Sequence, residues 1–156
     1  MISTSLVGPR IFMSHVEAAG SGLKIISVYE DHGDGIFSTS INSEHTKILE
    51  DHQIQALGTE TRSIFARADI TLKAIILSLN GVSCLSAAAQ GKLITLQRLT
   101  NQKGAKLYIC DVAPETMDVF KIAKLEDYHD FRKTKKDALD AAKAGEYNPG
   151  INYKRG

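Results

Sequence analysis

The residues best placed for chemistry are hydroxyls that precede a run of alanines in the middle of the chain. Ser83 and Ser86 lead into Ala87, Ala88 and Ala89, and Gly91 follows. A serine at the start of a helix can cap the orphan amides of the first turn. When phosphorylated, it can instead add about −1.5 to −2 charges at a terminus that tolerates them. We interpret Ser86 as an N-cap and Ser83 as a loop hydroxyl, with a phosphorylation site at Ser86 as the alternative.

Other chemistry has little support in the sequence. The histidines are scattered, without cysteines or carboxylates at a repeating metal-ligand spacing, so we expect surface histidines and no metal. No glycine pattern of the kind that cradles phosphates or dinucleotides is present, and no nucleophile has an evident base. We therefore expect neither a catalytic residue nor a cofactor. The histidines are His15, His32, His45, His52 and His129.

The two cysteines indicate core positions more than reactivity. Cys84 and Cys110 each lie in a short apolar run that is typical of a strand. A free thiol in such a run most often behaves as a small buried hydrophobe. We predict two buried free thiols.

Length and charge restrict the class of protein. A chain of 156 residues fits one domain with a single core. The formal net charge is +1, and we take acids and bases to be interspersed, which disfavours nucleic acid and anionic membranes as partners. No apolar run approaches the roughly 20 residues that span a bilayer, so we expect a soluble cytoplasmic protein.

The first half of the chain predicts a hairpin and a helix. Residues 24–30 predict a strand, and the Gly- and Asp-rich residues 31–35 predict a turn that returns as a strand over residues 36–41. Apolar residues over 45–68 fall near helical spacing. Residues 1–22 form an N-terminal arm that could contain one extra strand near residues 10–15.

The central stretch predicts a buried strand followed by a capped helix. The apolar run over residues 73–79 is typical of a strand covered on both faces. Asn80 and Gly81 then predict a turn, and Gly104 is suited to end the helix that starts after Ser86. Leucines give this helix its buried stripe, and we assign Lys92, Gln97, Arg98 and Gln102 to its solvated face. The leucines are Leu93, Leu96 and Leu99.

The last third alternates strand and helix again. Lys106–Cys110 predicts a strand, and Pro114 suits the first turn of the next helix. Residues 127–131 predict a short edge strand, and Lys135–Ala144 predicts a helix. The cationic residues 133–136 (KTKK) suggest a solvated face, or a site for an acidic partner surface. Residues 145–156 predict a C-terminal tail.

The order of these elements predicts an α/β fold in which crossover helices join the strands of a mixed, mostly parallel sheet flanked by about four helices. The stretch from Ile75 to Thr116 resembles the STAS family of bacterial anti-sigma factor antagonists, and the likeness covers about residues 24–144. The resemblance implies a single STAS-like domain over residues 23–144.

The resemblance also assigns roles to single residues. The family pattern Asp-Ser-Ser-Gly, whose first serine is commonly phosphorylated, falls on Ser86, Ala87, Ala88 and Ala89. Because an alanine methyl cannot accept a phosphoryl group, the usual switch chemistry is absent. Lys124 stands where the family usually has glycine, so either a lysine adopts a backbone conformation that glycine adopts more easily, or the turn differs.

As a functional expectation, the resemblance implies a non-enzymatic protein-interaction module in bacterial signal transduction and transcription regulation. The expected partner is an anti-sigma factor of the histidine-kinase-like ATPase class. The expected docking surface is the switch loop and helix start, which comprises Ser83, Ser86, Ala87, Ala88, Ala89 and Gly91. The alternative is a structural STAS domain, or one that binds a nucleotide, a lipid or a second copy of itself through the alanine loop.

Overall fold

The computed structural model describes residues 10–13, 26–41, 47–48, 55, 59 and 72–149. The strands within these residues are β1 (Arg10–Met13), β2 (Ile26–Asp31), β3 (Ile36–Ile41), β4 (Lys47–Ile48), β5 (Ala74–Ser78), β6 (Cys84–Leu85), β7 (Lys106–Cys110) and β8 (Asp130–Arg132). The helices are α1 (Ala87–Gln102), α2 (Pro114–Ile122) and α3 (Lys135–Ala144).

Six strands form one mixed sheet in the order β1-β2-β3-β5-β7-β8. The β1–β2 and β2–β3 pairs are antiparallel, and the three remaining pairs are parallel. The short strands β4 and β6 pair separately. The predicted fold class is therefore confirmed. The described residues contain three helices instead of about four. The helix predicted over residues 45–68 lies almost entirely outside them, but its start is wrong, because Lys47–Ile48 form the strand β4.

Strand β5 lies at the centre of the domain and is buried along its whole length. Ile75 and Leu77 face the core beneath α1 and α2, whereas Ala74 and Ile76 face the core beneath α3. Fully burying one such Ile or Leu side chain contributes about 1.5–3 kcal/mol. The prediction of a strand covered on both faces is confirmed, and its end fixes where the following loop begins.

The hairpin prediction is also confirmed. Gly33, Asp34 and Gly35 connect β2 to β3 with φ angles of 83°, 56° and 80°. Glycine adopts this left-handed region freely, and aspartate tolerates it better than most residues. The extra strand expected near residues 10–15 is β1, which pairs with β2.

The cationic residues 133–136 make internal contacts that the sequence did not predict. Thr134 caps α3, because its hydroxyl accepts a hydrogen bond from the amide of Asp137 at 3.1 Å. Lys135 forms an ion pair with Glu30 on β2, and Lys136 reaches Asp140 at 3.0 Å. The interpretation of this run as a simple solvated face is therefore wrong for Lys135, which links α3 to the hairpin.

Lys124 adopts the left-handed conformation that its place in the family pattern implied. Its φ angle is 61° at the end of α2, and its side chain is exposed. The amide of the next residue, Leu125, bonds back to the carbonyl of Phe120 at 2.8 Å and closes the helix. A lysine here therefore carries the strain of a conformation that costs a non-glycine residue about 1–2 kcal/mol.

We expect Lys124→Gly to stabilise the protein. Relief of the left-handed strain should exceed the extra entropy of glycine in the unfolded chain, which leaves a net gain of about 0.5–1 kcal/mol. Lys103→Gly is the matched control, because Lys103 ends α1 with a φ of −90° and is also exposed. The control should destabilise the fold. Urea denaturation gives both values, and equal destabilisation by the two variants would contradict the prediction.

Candidate functional site

The loop between β5 and α1 is held against the rest of the domain before the helix begins. The amide of Val82 bonds to the carbonyl of Leu79 at 3.0 Å across the Asn80-Gly81 turn. The carbonyl of Val82 accepts a hydrogen bond from the hydroxyl of Thr116 on α2 at 2.9 Å, and both residues are buried. These bonds fix the position of the loop relative to α2.

Ser86 is the N-cap of α1, as predicted. Its backbone is extended, with φ −71° and ψ 166°, and its hydroxyl accepts a hydrogen bond from the amide of Ala89 at 3.1 Å. Its carbonyl accepts the first helical bond, from the amide of Gln90 at 3.0 Å. A cap of this kind contributes about 1 kcal/mol. The hydroxyl that could accept a phosphoryl group is therefore already used to start the helix.

The structure separates the predicted site residues into an outer and an inner set. Ser83, Ala87, Ala88 and Gly91 are exposed, and Ser86 is half-buried. Ala89 has no exposed surface and packs in the main core. The side chain of Ala89 therefore cannot contact a partner in this structure. The outer set forms a surface of small side chains at the start of α1, which we call the helix-start surface (Ser83, Ala87, Ala88 and Gly91).

The helix-start surface is uncharged. The first turn of α1 contains no acidic residue, in contrast to Glu115 in α2 and Asp137 in α3. Ala87, the first residue of α1, is exposed. The surface offers methyl groups and backbone at the end of a helix whose dipole favours negative charge.

Two polar residues that fix α1 were missed by the sequence analysis. Gln97 was assigned to the solvated face, but it is only 5% exposed. Its amide nitrogen donates to the carbonyl of Tyr128 at 2.9 Å, and its oxygen accepts from Nδ1 of His129 at 2.6 Å. The expectation of surface histidines is wrong for His129, which has no exposed surface.

His129 lies in an aromatic environment between α2 and β8. Its ring makes edge contacts with Phe120, Tyr128 and Phe131 at centroid distances of 6.0, 5.0 and 5.6 Å. Its Nε2 has no hydrogen-bond partner among the described residues. Burial lowers the pKa of His129 to about 4, so the ring is neutral near pH 7. A neutral ring that donates from Nδ1 matches the bond to Gln97.

A second polar cluster contains serine, histidine and glutamate but lacks the geometry of a catalytic triad. Ser38 lies 2.8 Å from Nε2 of His32 and donates to Glu30 at 3.2 Å. In a triad the acid orients the histidine, whereas here the acid and the histidine both contact the serine. Ser38 is only 1% exposed. Burial tends to raise the pKa of Glu30, but the hydrogen bond and charge of Lys135, the bond from Ser38 and the charge of His32 together lower it.

The cysteines and acidic residues do not supply another reactive site. Cys110 is buried, and burial raises the pKa of its thiol. Cys84 is only partly buried, so the prediction of two buried thiols is confirmed for Cys110 alone. Within the described residues, no group of three or more His, Cys, Asp or Glu side chains could hold a metal ion. In the same part of the chain, no helix has the length and apolar character needed to cross a membrane. His15, His45 and His52 lie outside the described residues.

Comparisons with known proteins agree with this architecture. A family model described as the STAS domain matches residues 27–138. Comparison with curated protein sequences found no significant match. An anti-sigma factor antagonist from Mycobacterium paratuberculosis has a similar structure, with a TM-score of 0.61 and 19% identity over 74% of this chain and 91% of that one.

Two other solved structures extend the likeness. An anti-sigma factor antagonist (STAS) domain protein from Planctomyces limnophilus gives a TM-score of 0.59 at 16% identity, over 71% of this chain and 92% of that one. The murine Solute Carrier 26 family member A9 anion transporter gives 0.60 at 10% identity, over 88% of this chain and 22% of that one. At these identities the structural likeness establishes the fold alone.

We expect His129 to make the fold sensitive to acid. Because its folded pKa is about 4 and its ordinary value is 6.5, the unfolded chain binds the proton first as the pH falls. The stabilising contribution is full above pH 6.5 and is lost between that pH and about 4, and it amounts to about 3 kcal/mol. His129→Gln should flatten the dependence of unfolding free energy on pH across this window. His32→Gln is the control and should change the slope less, because His32 is only partly buried. Equal slopes for wild type and His129→Gln in urea titrations would contradict the assignment.

Proposed function

The chain belongs to the STAS domain family, and we propose that it is a non-enzymatic protein-interaction module of the anti-sigma factor antagonist type. It would bind a protein partner through the helix-start surface (Ser83, Ala87, Ala88 and Gly91). The observation that carries this proposal is the exposed, neutral start of α1 on a rigid, capped helix. The named antagonists with the same fold support the class of function.

The absence of the usual phosphoacceptor suggests how such a module would be regulated. A phosphoserine at position 87 would place about two negative charges on a surface that faces a partner. Ala87 keeps that surface neutral, so the proposed protein stays in its binding-competent form. The proposed partner is an anti-sigma factor of the histidine-kinase-like ATPase class. The proposed process is partner switching that regulates transcription, with the protein in the bacterial cytoplasm.

A relocated phosphosite at Ser86 is the remaining route to a switch by modification. The hydroxyl of Ser86 is half-buried and accepts the bond from Ala89 that starts α1. Phosphorylation would replace this neutral cap with a charged one, which the helix N-terminus accommodates. Ser86 therefore stays a candidate, whereas Ala87 lacks any acceptor atom.

The alternative function is a structural or ligand-binding STAS domain. The fold likeness to a murine anion transporter supports the structural form, because STAS-like domains also occur within larger membrane proteins. The ligand form has less support at the alanine loop. A cavity of about 490 Å³ lies between β8 and α3, with Phe131, Arg132, Asp137 and Glu146 among its lining residues.

We expect Ala87→Asp to separate affinity from stability. A carboxylate in the first turn favours the helix by about 0.3–1 kcal/mol, so the free energy of unfolding should stay equal or rise slightly. The same charge would lose its hydration against a neutral partner surface, so binding should weaken by at least about 10-fold. Denaturation measures the free energy of unfolding, and calorimetry with the co-purified partner measures the binding affinity.

Ala144→Asp provides the matched control for this experiment. Ala144 is an exposed alanine in the last turn of α3, where a carboxylate opposes the helix dipole. This variant should lose about 0.3–1 kcal/mol of stability and keep its affinity, which is the opposite pattern. If Ala87→Asp bound as tightly as wild type, the docking surface would have to lie elsewhere on the protein.

A further inference from the structure

The net charge of +1 conceals an uneven distribution of acidic residues along the chain. From Lys73 to Cys110 the sequence contains no Asp or Glu, so all 18 acidic residues lie outside this stretch. The expectation of interspersed charge is therefore wrong for the segment that contains β5, the switch loop, α1 and β7. The cationic residues of this stretch are Lys73, Lys92, Arg98, Lys103 and Lys106.

Three of the four lysines on α2 and α3 have an acidic partner, Lys143 being the exception, whereas the cations of α1 have none among the described residues. Lys121, Lys135 and Lys136 each lie within ion-pair distance of an acid. Lys92 and Arg98 on α1 have no such acid among the described residues, and neither does Lys103 at its C-terminus. Arg98 and Lys103 are exposed, and Lys92 is partly exposed. This positive charge is thus available to a molecule that approaches α1.

The positive charge continues the helix-start surface along one side of α1. At 3.6 residues per turn, positions 87, 91 and 98 lie on the same side of the helix, whereas Lys92 lies about 100° around the helix from Gly91. The rise of about 1.5 Å per residue places Arg98 about 16 Å from Ala87. The first half of this face has small side chains that allow close backbone approach, and the second half has the exposed cation of Arg98.

We propose that the partner docked on α1 is a protein that presents an Asp or Glu carboxylate to Arg98, about 16 Å from its contact with Ala87. This inference rests on the proposed function and adds the chemistry of the partner. Exposed ion pairs contribute little affinity each, but a face of one sign steers association and excludes partners of like charge. A partner with a basic surface is rejected.

The test uses the full chain in its native host, with the photo-cross-linker benzoylphenylalanine at Thr95. Thr95 is partly exposed between Gly91 and Arg98. We expect one cross-linked protein, whose attached peptide contains more Asp and Glu than Lys and Arg. Arg98→Glu should lower the yield at least about 10-fold, and Arg98→Lys should restore most of it. Lys143→Glu on α3 is the charge-matched control and should leave the yield unchanged.

The outcomes separate this inference from the proposed function. A cross-link that forms equally well in Arg98→Glu, or one to a peptide without an acidic surplus, overturns the inference and leaves α1 as the docking face. No cross-link from Thr95, alongside one from a probe placed at Lys143, overturns the proposed function itself. A cross-link to a second copy of the chain overturns the claim of a different, acidic partner.

Discussion

The burial of β5 on both faces is the constraint on which the rest of the domain depends. Ile75 and Leu77 need the core beneath α1 and α2, and Ile76 needs the core beneath α3. A strand that is apolar on both sides is stable only when both layers are present. The position at which the chain leaves the carboxyl end of β5 is therefore fixed. The short loop from Leu79 to Ser86 then determines where α1 begins.

Because the position of α1 is fixed in this way, its start can serve as a docking surface that needs little rearrangement. The hydroxyl of Ser86 accepts a hydrogen bond from an amide in the first turn of α1. The hydrogen bond from Thr116 to the carbonyl of Val82 holds the loop between β5 and α1. Gln97 and His129 fasten the middle of the helix from its buried side. The exposed side of α1 carries Ala87, Ala88, Gly91 and Arg98.

Local signals in the sequence predicted local structure well. A hydroxyl before an alanine run predicted the cap at Ser86, a glycine predicted the end of α1, and Pro114 marked the first turn of α2. Each of these features depends on the conformation of a few neighbouring residues. The left-handed backbone of Lys124 could also be anticipated from its place in the family pattern.

The errors arose where a residue depends on distant parts of the chain. Gln97 was assigned to solvent from its helical position, but the segment at Tyr128 and His129 packs on it from 31 and 32 residues away. Lys135 was assigned to a solvated run, although its partner Glu30 lies 105 residues earlier. The absence of Asp and Glu from Lys73 to Cys110 can be read directly from the sequence, but the net charge of the whole chain does not reveal it. The burial of Ala89 follows from the packing of α1 against β6 and β7 in the main core, which the alanine run alone does not indicate.

The central claim is that a neutral, permanently available helix start binds a protein partner. Hydrogen–deuterium exchange of the full chain, alone and with its purified partner, tests this claim directly. The account predicts new protection in peptides that cover residues 83–98, with α3 and the β2–β3 hairpin unchanged. Protection confined to α3 or to that hairpin, with residues 83–98 exchanging as in the free protein, would contradict it.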